Sequence, residues 1–203
     1  MQALARQWGY GQAQRQWKRR KDAGRTVYLQ LLIDSSGSMQ RNNRLQRLKT
    51  AVNLASSAIN SGNQVGMISF SDQPVLHLPL QPFDGAGRAR LLAAVQRLRP
   101  DRATALYDGM AVAMAELMRA RRSDPDGRFV LLLLTDGART SGLQLSDLSD
   151  VIRHSGINTI PMSYGEVDEG ELNAIAALRE SSVYKGTPKL ILPLMHELFQ
   201  TNL

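Results

Sequence analysis

Asp34 closes the apolar run "YLQLLI" and is followed by Ser35, Ser36, Gly37 and Ser38. A second carboxylate, Asp136, stands just after "FVLLLL" and Thr135. The Asp-x-Ser-x-Ser spacing, in a tight turn opened by Gly37, aims the oxygens of Asp34, Ser36 and Ser38 at one point. Oxygen donors of this kind suit hard divalent cations, and Mg²⁺ takes a near-octahedral shell at about 2.0–2.1 Å while keeping some waters. If the two apolar runs are neighbouring strands, Asp34 and Asp136 face one another and repel unless a cation mediates. Two carboxylates and two neutral hydroxyls barely neutralise such an ion and leave its shell incomplete. It is then suited to one more anionic oxygen from outside, such as the Asp or Glu of a partner.

Those residues need an architecture that ends two apolar strands at one crevice. Residues 26–33 are β-branched and aliphatic and read as a first strand. Leu45, Leu48, Val52, Ala55 and Ile59 recur at helical spacing over 44–59, and "NSGN" ends that helix. Strands are predicted at 64–70 and 74–80, the second marked as an edge by its prolines. Helices follow over 88–98, halted by Pro100, and over 105–122. "RFVLLLL" at 128–134 is the most continuously apolar run, the character of a buried central strand in a parallel sheet. A helix over 144–156, a strand over 157–164, a helix over 169–180, a short strand over 182–186 and a helix near 188–201 complete the alternation. This predicts an α/β fold, a doubly wound, mostly parallel, Rossmann-like sheet of about six strands with one antiparallel edge strand and helices on both faces. Ligands of such sheets bind beyond the carboxyl ends of the strands, where the connections diverge.

Asp34-Ser35-Ser36-Gly37-Ser38, Thr104 in "DRATALYDGM" and Asp136 in "LLLLTDG" together resemble the metal-ion-dependent adhesion site of von Willebrand factor type A domains, bacterial members above all. The resemblance covers residues 26–203 and includes "VGMISFSD", "SYGE" and the terminal "VYKGTPKLILPLMHELF". It implies that Ser36 and Ser38 bind a metal directly, that Asp34 and Asp136 act directly or through water, and that Thr104 joins when ligand is engaged. The implied ion is Mg²⁺, with Mn²⁺ or Ca²⁺ as substitutes, and the implied role is non-catalytic recognition of a protein partner's carboxylate. Many relatives place a glycine before the threonine, whereas this chain has Arg102-Ala103-Thr104.

Other chemistries fit less well. Asp at the end of a first strand also occurs in metal-dependent phosphoryl-transfer enzymes, where it attacks phosphate. Haloacid-dehalogenase-like sites of that kind need a second Asp two positions on, and Ser36 stands there. "SSGSM" is no G-x-S-x-G nucleophile elbow, and no G-x-x-x-x-G-K-[ST] phosphate loop is present. Without cysteine, a disulfide frame, a thiolate zinc site and a Cys nucleophile are excluded. His77, His154 and His196 lack ligand-like spacing, and Met110, Met114 and Met118 read as core filler on one helix face.

The net charge of +7 is concentrated in residues 1–25, where seven Lys and Arg stand against Asp22 alone. That arm or linker also holds Trp8, Tyr10 and Trp17, so a third reading is a module gripping nucleic acid or anionic lipid through residues 1–25. Arg41, Arg102 and Arg139 fall in loops beside the proposed metal, where they read first as ordinary solvated charge and, as the sharper alternative, would steer acidic partners. The 43% hydrophobic content supports a full core. No apolar stretch reaches the roughly 20 residues of a membrane span, and no signal-peptide core is present. The chain reads as soluble as given. It fits equally a domain excised from a larger cytoplasmic, exported or membrane-anchored protein, where a neighbouring domain would be a further partner.

Overall fold

The computed structural model describes residues 24–101, 103–136, 139–163, 170–178 and 183–185, with Leu190 and Pro193. Residues 1–23 of the basic arm, Arg102, all of the "SYGE" turn after Ser163 and nearly all of the helix anticipated near 188–201 lie outside them.

Among the described residues, six strands form one sheet. They are Val27–Asp34 (β1), Gln64–Phe70 (β2), Pro74–Pro82 (β3), Arg128–Thr135 (β4), Asn158–Ser163 (β5) and Tyr184–Lys185 (β6). The order is β3-β2-β1-β4-β5-β6, with β3 antiparallel to β2 and the other pairs parallel. The chain leaves β1 toward β2 and leaves β4 toward β5, so the connections diverge between β1 and β4. The prolines of β3 lie at the sheet edge, where a missing N–H donor costs least.

Side chains alternate across the sheet, and each set meets a different layer of helices. Val27, Leu29, Leu31 and Ile33 of β1, with Val130, Leu132 and Leu134 of β4, pack against Arg44–Ala55 (α1) and Gly85–Arg97 (α2). Leu32, Ile68, Phe70, Leu131 and Leu133 face Leu106–Ser123 (α3), Leu145–His154 (α4) and Gly170–Ala177 (α5). Gly109 lets α3 lie close on the sheet centre, because a Cβ there would stand 3.0 Å from Phe70 Cβ and 3.1 Å from Leu32 Cδ1. Met110 and Met114 are buried in this layer as anticipated, but Met118 is 38% exposed and lies outside the core stripe.

Local signals start the helices. Asp84 accepts from Gly87 N at 2.6 Å at the head of α2, and Gln144 with Asp147 forms a capping box at the head of α4. The helix anticipated over 44–59 is shorter than its periodicity suggests. It ends at Ala55, and Ser56–Ala58 tighten into a 3-10 turn. Ser56 Oγ donates to Asn53 O at 2.6 Å and Ser57 Oγ to Leu54 O at 2.7 Å. Such hydroxyls compete with the helix for its own carbonyls.

Candidate metal centre

Asp34 is the last residue of β1, and its backbone still registers with Phe70 of β2. The sheet therefore fixes its carboxylate. The chain then turns sharply, with Ser35 N and Oγ donating to Phe70 O at 2.8 and 3.1 Å. Ser36 N donates to Asp34 Oδ1 at 2.7 Å, so the carboxylate organises the loop that follows it. Ser36 Oγ lies 2.9 Å from Ser38 Oγ, and Ser38 Oγ donates to Asp136 Oδ1 at 2.6 Å. On the neighbouring strand, Thr135 Oγ1 donates to Asp34 Oδ2 at 2.5 Å. Four of the five anticipated residues, Asp34, Ser36, Ser38 and Asp136, thus share one string of hydrogen bonds at the point where the sheet connections diverge. Asp34, Ser36 and Asp136 are buried, while Gly37 is exposed and Ser38 is partly so.

Thr104 lies on a third loop, which is bonded to the loops that follow β1 and β4. It is buried, and Thr104 N donates to Thr140 Oγ1 at 2.8 Å while Thr140 N donates back to Thr104 O at 3.0 Å. Asp101 N donates to Ser35 O at 2.8 Å and Ala105 N to Ser71 O at 2.6 Å, which fastens the same loop to the ends of β1 and β2. Among the described residues its hydroxyl takes no part in the string that joins the other four. The three loops are therefore tied to one another through backbone, with Thr140 as the clasp.

Arg44 joins the centre from outside the residues that the motif spacing marks out. Its Nη1 lies 2.7 Å from Asp136 Oδ2, with the Arg44 side chain 14% exposed and that of Asp136 fully buried. Arg44 is the first residue of α1, where the positive end of the helix dipole disfavours a cation and no acidic residue offsets it. Asn42 and Asn43, both in the left-handed region at φ 50 and 55, turn the chain into that helix. An arginine at an uncapped helix start was the legible clue, because a broken local rule often marks a tertiary role. Thr135 and Thr140 were also unassigned. Each flanks Asp136, and neither carries a local signal.

Burial raises the Asp34 carboxyl above its ordinary range, against the lowering effect of bonds from Ser36 and Thr135, and Asp136 adds to the rise. With both carboxylates ionised, as a bound cation would require, two carboxylates against one guanidinium leave the cluster one negative charge in excess. The donor set is oxygen throughout, which suits hard cations of the Mg²⁺ type. Among the described residues no group of three or more His, Cys, Asp and Glu is placed to hold a metal. Any ion here must draw on hydroxyls as well as carboxylates.

Of the loop arginines, Arg41 is exposed and Arg139 partly so. Arg139 N donates to Glu171 Oε2 at 2.7 Å, which ties the loop after β4 to α5. Gly142, at φ +75, packs against Asp108, whose Oδ2 accepts from Leu143 N at 3.0 Å.

The chain belongs to the von Willebrand factor type A domain family, which matches residues 29–187. It is 26% identical to matrilin-1 of Mus musculus over 162 residues, covering 75% of this chain and 31% of matrilin-1. Its fold superposes on a von Willebrand factor type A protein from Catenulispora acidiphila with a TM-score of 0.69 at 23% identity, covering 86% of this chain and 42% of that one. It also superposes on proximal thread matrix protein 1 of the mussel byssus, described with a zinc-occupied MIDAS motif. That match has a TM-score of 0.69 at 19% identity and covers 89% of this chain and 48% of the other. The chain spans less than half the length of each. Domains of this family are in general metal-dependent interaction and adhesion modules. No helix among the described residues is long and apolar enough to cross a membrane.

Proposed function

We propose that this domain is a non-catalytic, Mg²⁺-dependent recognition module. Asp34, Ser36, Ser38 and Asp136 hold the ion, and Thr104 joins them when ligand is engaged. Mn²⁺ is the expected laboratory substitute. A bound divalent ion supplies one Lewis-acidic position for an Asp or Glu carboxylate of a protein partner. The observation that carries this reading is the bonded string Ser36–Ser38–Asp136, at 2.9 and 2.6 Å, opening at the sheet's divergence point beside Asp34. The zinc-occupied motif described for the mussel protein supports a divalent ion at the corresponding place.

Calorimetric titration with Mg²⁺ and Mn²⁺, followed by a phosphatase panel, tests it. Metal uptake that disappears in Ser38→Ala without any turnover supports recognition. Turnover that depends on Asp34 would replace this reading with a phosphoryl-transfer enzyme. Asp34→Ala should abolish metal uptake with only a modest change in folding, because the site sits at the rim of the sheet and the layers of core lie below it.

A further inference from the structure

Both oxygens of Asp136 already have donors: Ser38 Oγ at 2.6 Å on Oδ1 and Arg44 Nη1 at 2.7 Å on Oδ2. Both oxygens of Asp34 also have donors, Ser36 N at 2.7 Å and Thr135 Oγ1 at 2.5 Å, but these are neutral. Of the two carboxylates, then, Asp136 has a cation on it. That cation is the planar guanidinium of Arg44. The pair is nearly dry, so its charge is screened much less than a surface pair's.

The charge balance decides what the centre asks for. Asp34 and Asp136 alone would just cancel a divalent ion, leaving an open coordination position with no excess charge behind it. With Arg44 present, the loaded centre carries one positive charge in excess. We propose that Arg44 tunes the balance between metal and ligand at the site. It weakens the hold on the metal and in return strengthens the loaded centre's hold on one singly charged carboxylate, the charge of an Asp or Glu side chain. This rests on the metal-centre reading above. A merely structural Arg44 would act in the opposite sense, since its loss would loosen Asp136 and weaken metal uptake.

The test compares the unaltered chain with Arg44→Gln, Arg44→Met and Arg44→Lys. Mn²⁺ affinity is read by calorimetry. Acetate is then titrated onto the Mn²⁺-saturated proteins while water-proton relaxation reports displacement of metal-bound water. Removing one nearby positive charge should tighten Mn²⁺ binding by about tenfold and weaken acetate binding by about tenfold in Arg44→Gln. Arg44→Lys, which keeps the charge and loses the planar fork, should stay within about threefold of the unaltered chain in both. Arg44→Met keeps the aliphatic stem and supplies the same neutral comparison if the Gln variant does not fold. Mn²⁺ affinity that is unchanged or weaker in the neutral variants overturns the inference while leaving the metal centre standing. No Mn²⁺ uptake by any of the chains overturns the metal-centre reading, and this inference falls with it.

Discussion

Thr135 and Asp34 are 101 positions apart, yet the threonine hydroxyl donates to Asp34 Oδ2 at 2.5 Å across the paired strands β4 and β1. Both side chains are fully buried. The bond favours the ionised carboxylate in a place where burial opposes it. Thr135→Val keeps the shape and removes the donor, leaving a buried carboxylate oxygen short of a partner at a cost of about 1–3 kcal/mol. The urea midpoint should fall accordingly. Without that bond the carboxyl titrates higher, so protons compete better with metal, and Mn²⁺ binding should weaken by about tenfold at pH 6 and by less at pH 8. Equal Mn²⁺ affinity in both chains at both pH values would remove Thr135 from this role.

Thr140 makes a narrower prediction. Thr140→Val removes the acceptor for Thr104 N but keeps the backbone bond to Thr104 O. One lost hydrogen bond of this kind costs about 1 kcal/mol. The amide of Thr104 should exchange faster with solvent, while amides inside β1 and β4 keep their protection. Mn²⁺ affinity should fall less than in Thr135→Val, since Thr140 bonds Thr104 N and neither carboxylate loses a donor. Unaltered protection at Thr104 would mean that Asp101 and Ala105 hold the loop by themselves.

The contrast between these two threonines and the serines shows what a sequence reveals. Strands β2 and β4 are bounded by turn residues and filled with apolar side chains, so their limits were readable almost to the residue. Asp34, Ser36 and Ser38 were readable because their spacing is local, within one turn. The pairing of Asp34 with Asp136 needed only one further step, that two apolar runs ending in carboxylates are neighbours, and β1 does pair with β4. Arg44 and Thr140 are different. Each acts across a distance that no local period encodes, 92 positions for Arg44 with Asp136 and 36 for Thr140 with Thr104. The shortened α1 was missed for another reason. The apolar period runs on to Ile59, but hydroxyls at Ser56 and Ser57 capture the carbonyls that would have continued the helix.

His77 of the edge strand supplies a pH signature. Its Nε2 lies 2.7 Å from Ser69 Oγ, and burial holds the imidazole below its ordinary value of 6.5. The unfolded chain therefore takes up a proton as pH falls through 6.5, while the folded chain resists it until lower pH. Stability from this group is complete above 6.5 and declines as pH drops below it, until the folded imidazole is itself protonated. The urea midpoint should be lower at pH 5 than at pH 7.5, and His77→Asn should narrow that difference without affecting Mn²⁺ uptake. An equally steep decline in the variant would assign the acid sensitivity to carboxylates instead.

Lys49 tests how the two helices on one face are joined. It is 5% exposed, and its ammonium donates at 2.9 Å to both Gln96 O and Leu98 O, at the end of α2. The last carbonyls of a helix lack partners within it, so a cation placed there satisfies groups that would otherwise be stranded. Burial, and next the nearby Arg99, hold the ammonium below its ordinary value, which marks the cost of keeping it dry. Two opposing terms therefore set the outcome of Lys49→Met: relief of that desolvation and loss of two charge-assisted bonds. Each such bond is worth about 1.5–3 kcal/mol, so the loss should win and the variant should be less stable by about 1–3 kcal/mol in urea unfolding. The destabilisation should leave Mn²⁺ affinity unchanged, because Leu45 and Leu48 still seat α1 on the sheet and keep Arg44 beside Asp136. A variant as stable as the unaltered chain would show that water satisfies those carbonyls once the ammonium is gone.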